Sequence, residues 1–311
     1  MKKIWESITV CAVILLTVWL SGCGEDADNG DAAPKIKVQL VTMDKSDQHW
    51  AKIDQGARKA AAELGNIDYR WDAPAAKDDA QQIKCIQNAV AWGARVILLA
   101  ANGPEAVNPA LKDATAAGVK IIFVDSAANY PAEAVFTTDN AAAGRTAGEQ
   151  MLAALQARGI TKGGIGIIGV NTATPSTSAR ENGFRGVFAG SEFTLWDTQY
   201  CEGDNARSQA AAEKYLSKGA VGLFSTNEGS TVGTGNAILA VGKPVVGIGF
   251  DESDAIKLLV KDGHLFCTIA QNPEMMGYQS VLTAAAVIAG KEPAQKYVDT
   301  GVSVKTKEAF K

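Results

Sequence analysis

"RVILLAANGPEAVNPALKDATAAGVKIIFVD", residues 95–125, decides the fold. It opens on an apolar run, passes through a segment of helical character and returns to a second apolar run. Pro104 near its start and Gly118 at its end bound a predicted helix over "PEAVNPALKDATAAG" (104–118). Proline fits a first helical turn, and glycine supplies the left-handed residue that closes a helix. The flanking runs "RVILLAA" and "VKIIFVD" are continuously apolar rather than alternating. That is the pattern of parallel strands whose sheet is covered by helices on both faces.

The same grammar extends in both directions. "IKVQLV" (36–41) precedes a helix in which Trp50, Ile53, Ala57, Ala60 and Leu64 fall at helical spacing and stop at Gly65. "IDYRW" (67–71) leads to a helix with Ile83, Ile86 and Val90 on one face, ending at Gly93. Beyond residue 125 the pattern restarts with a helix over 139–159, capped by Asp139 or Asn140. Strands follow at "GIGIIGV" (164–170), "FTLWDTQY" (193–200), "AVGLFST" (220–226), "PVVGIGF" (244–250) and "LFCTIA" (265–270). Helices are expected around 179–188 and over 206–218, 230–241, 253–261 and 271–290, with one last strand at "KYVDTGVSV" (296–304). Two similar halves emerge, so the fold class is α/β, with two doubly wound, Rossmann-like parallel-sheet domains.

The 311 residues are 47% hydrophobic and 21% charged, with a net charge of -4. Nucleic-acid binding needs clustered Lys and Arg, which do not occur here, so DNA and RNA are excluded as expected partners.

The N-terminus reads as an address. Lys2 and Lys3 form a short positive region, "ITVCAVILLTVWL" (8–20) is apolar but short for a membrane span, and "LSGC" (20–23) closes it. The pattern resembles the lipobox of bacterial lipoproteins. That resemblance implies a signal over 1–22, lipidation of Cys23, and a lipid anchor outside the cytoplasmic membrane. "GEDADNGDAAP" (24–34) is small, acidic and unpatterned, as a flexible tether is, so 23–34 is assigned to that role. Of five cysteines, Cys85, Cys201 and Cys267 then remain, without metal-ligand spacing. Cys85 falls on a helical pattern as a small core residue, and a bridge from Cys201 to Cys267 stays open.

An open parallel sheet binds ligands outside the carboxyl ends of its strands. After the first strand come Asp44, Lys45, Asp47, His49 and Trp50; after the fourth, Asp125 and Ser126. In the second half come Asn171 and Thr172, Arg180 in the next helix, then Asn227 and Glu228, Asp251, and Gln271. An indole beside charged and amide groups suits a sugar, whose C–H faces lie on the ring and whose hydroxyls need acceptors and bidentate donors. Any one Asp or Asn could equally cap the next helix. Repetition across six loops carries the inference.

The chain resembles the periplasmic sugar-binding proteins of the ribose-binding type, whose fold is shared with lactose-repressor effector cores. The resemblance covers 36–305 in an ordered series. It includes "GARKAAAELG", "TTDNAAAGRTAGE", "TPSTSARENGF", "STNEGSTVGTGNAI", "VVGIGFDES" and "TIAQNPEMMGYQS". It implies a type I periplasmic binding fold, two lobes joined by a multi-strand hinge, and no enzymatic activity. Trp50 would stack on the sugar, Asp125 and Arg180 would bind hydroxyls, and Asn227, Asp251 and Gln271 would complete the pocket. Asp47 and His49 fall on positions that also line it.

Departures bear on specificity: Ser126 stands where the ribose binder has arginine, and Gly203 replaces a second stacking aromatic. Lys45 with Asp125-Ser126 is similar to the autoinducer-2 receptor branch and to other pentose, hexose and polyol binders. The shared ligand is a monosaccharide or small polyol. The implied lobes are 35–138 plus 271–292 and 139–270 plus 293–311, with chain crossings near 137–139, 269–272 and 291–297. The resemblance further implies hinge closure, delivery to the membrane permease of an ABC importer, and action as a monomer. The alternative is a receptor that reports ligand to a chemotaxis or quorum-sensing partner.

Rival motifs are weak. "GIGIIG" (164–169) matches GxGxxG, but its glycines lie within a strand rather than at its exit. No GxxxxGK[ST] occurs, and no cofactor or metal is implied. Only His49 and His264 are available as general bases, with no serine elbow or cysteine partner. His264, in "DGHLF", reads as a turn residue.

Overall fold

A computed structural model describes residues 34–311; the signal, Cys23 and nearly all of the tether lie outside the described residues. The first half runs β1 (Ile36–Val41), α1 (Gln48–Leu64), β2 (Ile67–Asp72), α2 (Asp79–Trp92), β3 (Val96–Leu99), α3 (Asn108–Ala116), β4 (Lys120–Val124) and β5 (Ala134–Thr137). Then come α4 (Asn140–Ala157), β6 (Gly163–Gly169), α5 (Pro175–Val187), β7 (Phe193–Leu195), β8 (Gln199–Tyr200) and α6 (Asn205–Ser217). The second half continues with β9 (Ala220–Ser225), α7 (Glu228–Val241), β10 (Val246–Phe250), α8 (Asp254–Lys261) and β11 (Cys267–Gln271). The chain closes with α9 (Pro273–Ile288), β12 (Tyr297–Asp299) and β13 (Val302–Thr306).

The strands form two sheets. One has the order β12-β5-β4-β3-β1-β2 and is parallel throughout. The other has the order β13-β11-β10-β9-β6-β7, with β8 beside β6, and is parallel except where β13 runs antiparallel to β11. Two Rossmann-like lobes result, the architecture that the resemblance implies. The chain passes between the sheets three times: after β5, after β11, and between β12 and β13.

Each sheet is covered on both faces. Val38, Leu40, Leu98 and Ile122 pack on one side of the first and Ile97, Leu99, Ile121 and Phe123 on the other. In the second lobe Phe184 stacks on Phe224 with ring centroids 4.1 Å apart. Burying each such phenylalanine contributes about 1.5–3 kcal/mol. Glycines bring helices to backbone contact at matching places in the two lobes. A Cβ on Gly277 of α9 would lie 1.9 Å from the Ile53 carbonyl oxygen of α1, and one on Gly144 of α4 would lie 2.0 Å from that of Arg180 on α5.

Several sequence expectations are corrected. The helix expected from Pro104 begins at Asn108, and the proline in its first turn is Pro109. "KYVDTGVSV" is two strands: β12 pairs with β5 in the first sheet, Gly301 turns at φ 73°, and β13 pairs with β11 in the second. The third crossing therefore falls at Thr300–Gly301 rather than within 291–297, and the assignment of 293–311 to the second lobe is corrected at β12. β5 is a strand the sequence does not announce: only Ala134, Val135 and Phe136 in it are apolar, and "ANYPAE" (128–133) before it reads as loop. "FTLWDTQY" is interrupted between β7 and β8, where the Tyr215 hydroxyl donates to the Asp197 carbonyl. Cys201 and Cys267 are free and buried in different clusters. In "GIGIIG" the glycines make room for aromatic rings: a Cβ on Gly164 or Gly166 would strike Trp196 or Tyr215.

Candidate functional site

The loop after β1 is organised by Asp44. Its Oδ1 accepts from Ser46 N and Oγ (both 2.7 Å) and Asp47 N (3.1 Å), and its Oδ2 from Trp50 Nε1 (3.2 Å). Burial opposes its ionisation, but Ser46, Lys77 and these amides outweigh that and lower its pKa. Asp47 sits at the N-cap of α1 without capping it. The free N–H groups of Gln48 and His49 instead donate to Glu228, at 3.0 and 3.2 Å, from the opposite lobe. Burial, with Asp251 and Asp47 nearby, raises the Glu228 pKa to about 7.

His49 is buried between two carboxylates. Its Nε2 lies 2.9 Å from Asp125 Oδ2 at the end of β4, and its Nδ1 3.5 Å from Asp251 Oδ1 at the end of β10. Burial opposes its protonation, but Asp251 and Asp125 together raise its pKa. Burial likewise opposes ionisation of Asp125, yet His49, Arg180 and Ser126 bring its pKa down to about 2. The two aspartates sit in matching turns. Each has positive φ, 60° and 73°. Each donates its N–H to the neighbouring strand, to Phe136 and Ile269, and accepts on its carbonyl from a threonine hydroxyl there, Thr137 and Thr268. Such backbone is uncommon for an aspartate and persists because both neighbours fix it.

Arg180, buried on α5, has no ion pair among the described residues. Its Nε donates to Asn140 Oδ1 (2.8 Å), its Nη1 to the Thr226 carbonyl (2.9 Å), and its Cζ lies 4.3 Å from the Phe250 ring centre. Gln271, at the crossing after β11, donates to Asp251 Oδ1 (2.6 Å) and accepts from Thr138 Oγ1 (3.1 Å). Asn227 caps α7 through Oδ1, which accepts from Ser230 N at 3.2 Å; its Nδ2 is buried and has no partner among the described residues.

Asp47, His49, Trp50, Asp125, Arg180, Asn227, Asp251 and Gln271 thus surround one cavity of about 40 Å³ between the lobes. That is room for a few waters. Ser126 stands just behind it, donating to Asp125 Oδ1 (2.9 Å), with its Oγ 3.1 Å from Ser176 Oγ across the lobes. Lys45 is not part of it: its side chain is 52% exposed and pairs with Asp72 at 3.2 Å, because the turn around Asp44 directs it outward. Asn171 caps its own loop, accepting from Ala173 N and Thr174 N.

Lys77, Thr174, Ser176 and Thr177 line the cavity and were not singled out from the sequence. The hydroxyl-rich start of α5, "TPST", carries a signal for three of them; Lys77 lies in the exit loop of β2, where nothing in the sequence distinguishes it from other loop lysines. Asp47 keeps a raised pKa through burial, with Lys77 opposing and Asp44 and Asp251 reinforcing. The arrangement offers clustered acceptors, fixed donors and an indole edge. Both His49 nitrogens face carboxylates, which leaves it no free lone pair for proton abstraction.

A family model described as a periplasmic binding protein domain matches residues 38–292. The ribose import binding protein of Haemophilus influenzae is 28% identical over 301 residues, covering 95% of this chain and 97% of that protein. The fold is similar to an ABC transporter solute-binding protein from Agrobacterium vitis with bound D-fucose, at TM-score 0.82 and 29% identity, covering 88% of this chain and 96% of that one. It is equally similar to a carbohydrate transporter solute-binding protein from Agrobacterium radiobacter in complex with D-arabinose, at TM-score 0.84 and 27% identity, covering 89% and 96%.

Proposed function

The chain belongs to the periplasmic binding protein family, and from that premise we propose that it is the extracytoplasmic substrate-binding component of an ABC sugar importer, holding a monosaccharide or related small polyol between its lobes. The observation that carries the reading is a cavity between the lobes to which both contribute, with Trp50, Asp125, Arg180 and Asn227 on its walls. Trp50 offers an apolar surface to ring C–H groups. Asp47, Asp125 and Asp251 accept from hydroxyls, while Arg180, Asn227 and Gln271 supply directed donors. Relatives named for ribose and similar structures holding D-fucose and D-arabinose support this class of ligand.

Closure follows from the crossings. A cavity this small admits a sugar only when the lobes part, and the three connections between them are the hinge. Ligand shifts the balance of open and closed forms by its differential affinity for them, and the closed form is what a permease would engage. The resemblance to binding proteins of the ribose-binding type supports action as a monomer. Cys23, by the lipobox pattern in the sequence, would anchor it to the outer face of the cytoplasmic membrane; Cys23→Ser is then expected to release it from membranes.

A thermal-shift screen of pentoses, hexoses, polyols and autoinducer-2 tests the assignment. Ligand at 100 times its Kd stabilises the native state by about 2.7 kcal/mol, so a true ligand raises the melting temperature clearly. No shift with any pentose, hexose or polyol overturns it.

A further inference from the structure

At one end of the cavity two hydrogen-bond donors converge from opposite lobes on a residue without a side chain. Lys77 Nζ and Asn227 Nδ2 each lie so close to Gly203 that a Cβ built there would be 2.9 Å from both. Gly203 also has φ 70°, so its place suits glycine twice over. Asn227 Nδ2 is buried and has no partner among the described residues. Lys77 is paired only loosely, with Asp47 at 3.6 Å and Asp44 at 3.9 Å, both beyond hydrogen-bonding distance. Its side chain is 17% exposed, so the amine is largely withdrawn from water without full compensation.

We propose that Lys77 is a specificity-determining residue of the sugar site, forming with Asn227 a subsite for one ligand oxygen that accepts from both. This rests on the sugar-binding reading above and adds the chemistry of one position on the ligand. Charge decides which oxygen. Asp44 and Asp47 already balance the ammonium, so an anionic carboxylate or phosphate would meet two carboxylates as well as the amine. A neutral hydroxyl accepts from Lys77 and Asn227 and can donate its own proton to Asp47. Lys77 belongs to the first lobe and Asn227 to the second, so that hydroxyl also ties the lobes together. Asp47 and Lys77 line an outer groove of about 420 Å³ as well, which makes them the wall between the cavity and the cleft mouth.

The test is calorimetric titration of the wild-type protein, Lys77→Met and Gly203→Ala with the monosaccharide that binds most tightly, its monodeoxy analogues and its uronic acid. Lys77→Met removes the donor and keeps the stem. Gly203→Ala displaces the amine and the amide without altering either. Melting temperatures establish that each variant is folded. The expected result is a loss of tenfold or more in both variants, with one monodeoxy analogue weak on the wild type but no weaker than the parent sugar on Lys77→Met. Unchanged affinity of Lys77→Met, or a uronic acid that binds the wild type more tightly than its parent sugar, overturns the subsite while leaving the sugar assignment intact. Absence of any monosaccharide binding by the wild type overturns both.

Discussion

Asp125 and Asp251 flank opposite nitrogens of one imidazole, His49, at 2.9 and 3.5 Å, Asp125 from the end of β4 and Asp251 from the end of β10. The lobes therefore meet at a buried acid–base–acid cluster. Most of the behaviour expected of this protein follows from the charge it carries.

Removing the imidazole leaves two buried carboxylates with Ser126 and Gln271 as their remaining side-chain donors among the described residues. His49→Gln is expected to destabilise the protein by about 3 kcal/mol, the usual cost of breaking a buried pair from one side. Urea denaturation at neutral pH measures it. A change under half a kcal/mol would show that the pair is dispensable.

The pH dependence has a definite sign. His49 has a raised pKa, so its contribution is present below 6.5 and is lost as pH rises through its folded value. Glu228, raised from 4.5 to about 7, also binds its proton more tightly when folded, so it too favours the native state towards lower pH across that window. Its share is no more than about 3 kcal/mol. Asp125, lowered from 3.8 to about 2, acts oppositely and withdraws its contribution as pH falls below 3.8. The melting temperature should therefore fall from pH 5 to pH 8 and fall again below pH 3.5. Glu228→Gln should flatten the upper slope. A profile rising from pH 5 to pH 8 would contradict this account of the cluster.

Arg180 is fixed by a carbonyl, an amide oxygen and an aromatic face, which leaves its remaining donors for the ligand. Arg180→Ala should lose about a hundredfold in affinity, near 2.7 kcal/mol, while the circular dichroism spectrum is unchanged. Near-normal affinity in calorimetry would remove Arg180 from the site.

Two glycines that touch the same helix should respond in opposite ways. Gly144→Ala drives a methyl into the Arg180 carbonyl, separates α4 from α5, and should cost about 1–3 kcal/mol or more together with ligand affinity. A Cβ at Gly186, within α5, meets nothing within 4 Å. Gly186→Ala should therefore stabilise by about 0.5–1 kcal/mol. Equal effects in thermal melts would contradict the close helix contact.

The sequence made the layered fold legible because buried parallel strands and capped helices leave strong local signals, as residues 95–125 do. Where it fell short, the information was not local. β5 is four residues long, and "KYVDTGVSV" is one apolar run shared between two sheets, a division made by pairing partners far away in the chain. Asp125 and Asp251 stand out as candidates because strand ends face the cleft in any doubly wound sheet, whereas Arg180, on α5, is reached through the family resemblance. Lys45 and Lys77 were not distinguishable that way. Which lysine turns inward depends on the Asp44 turn and on the empty place at Gly203, and neither is written in the spacing of the lysines themselves.

The most direct test of the central claim is a crystal structure of the protein with the monosaccharide that gives the largest thermal shift. The sugar is expected between the lobes, with its ring against Trp50 and its hydroxyls on Asp125, Arg180 and Asn227. A sugar bound outside that cleft, or contacting only one lobe, would contradict it.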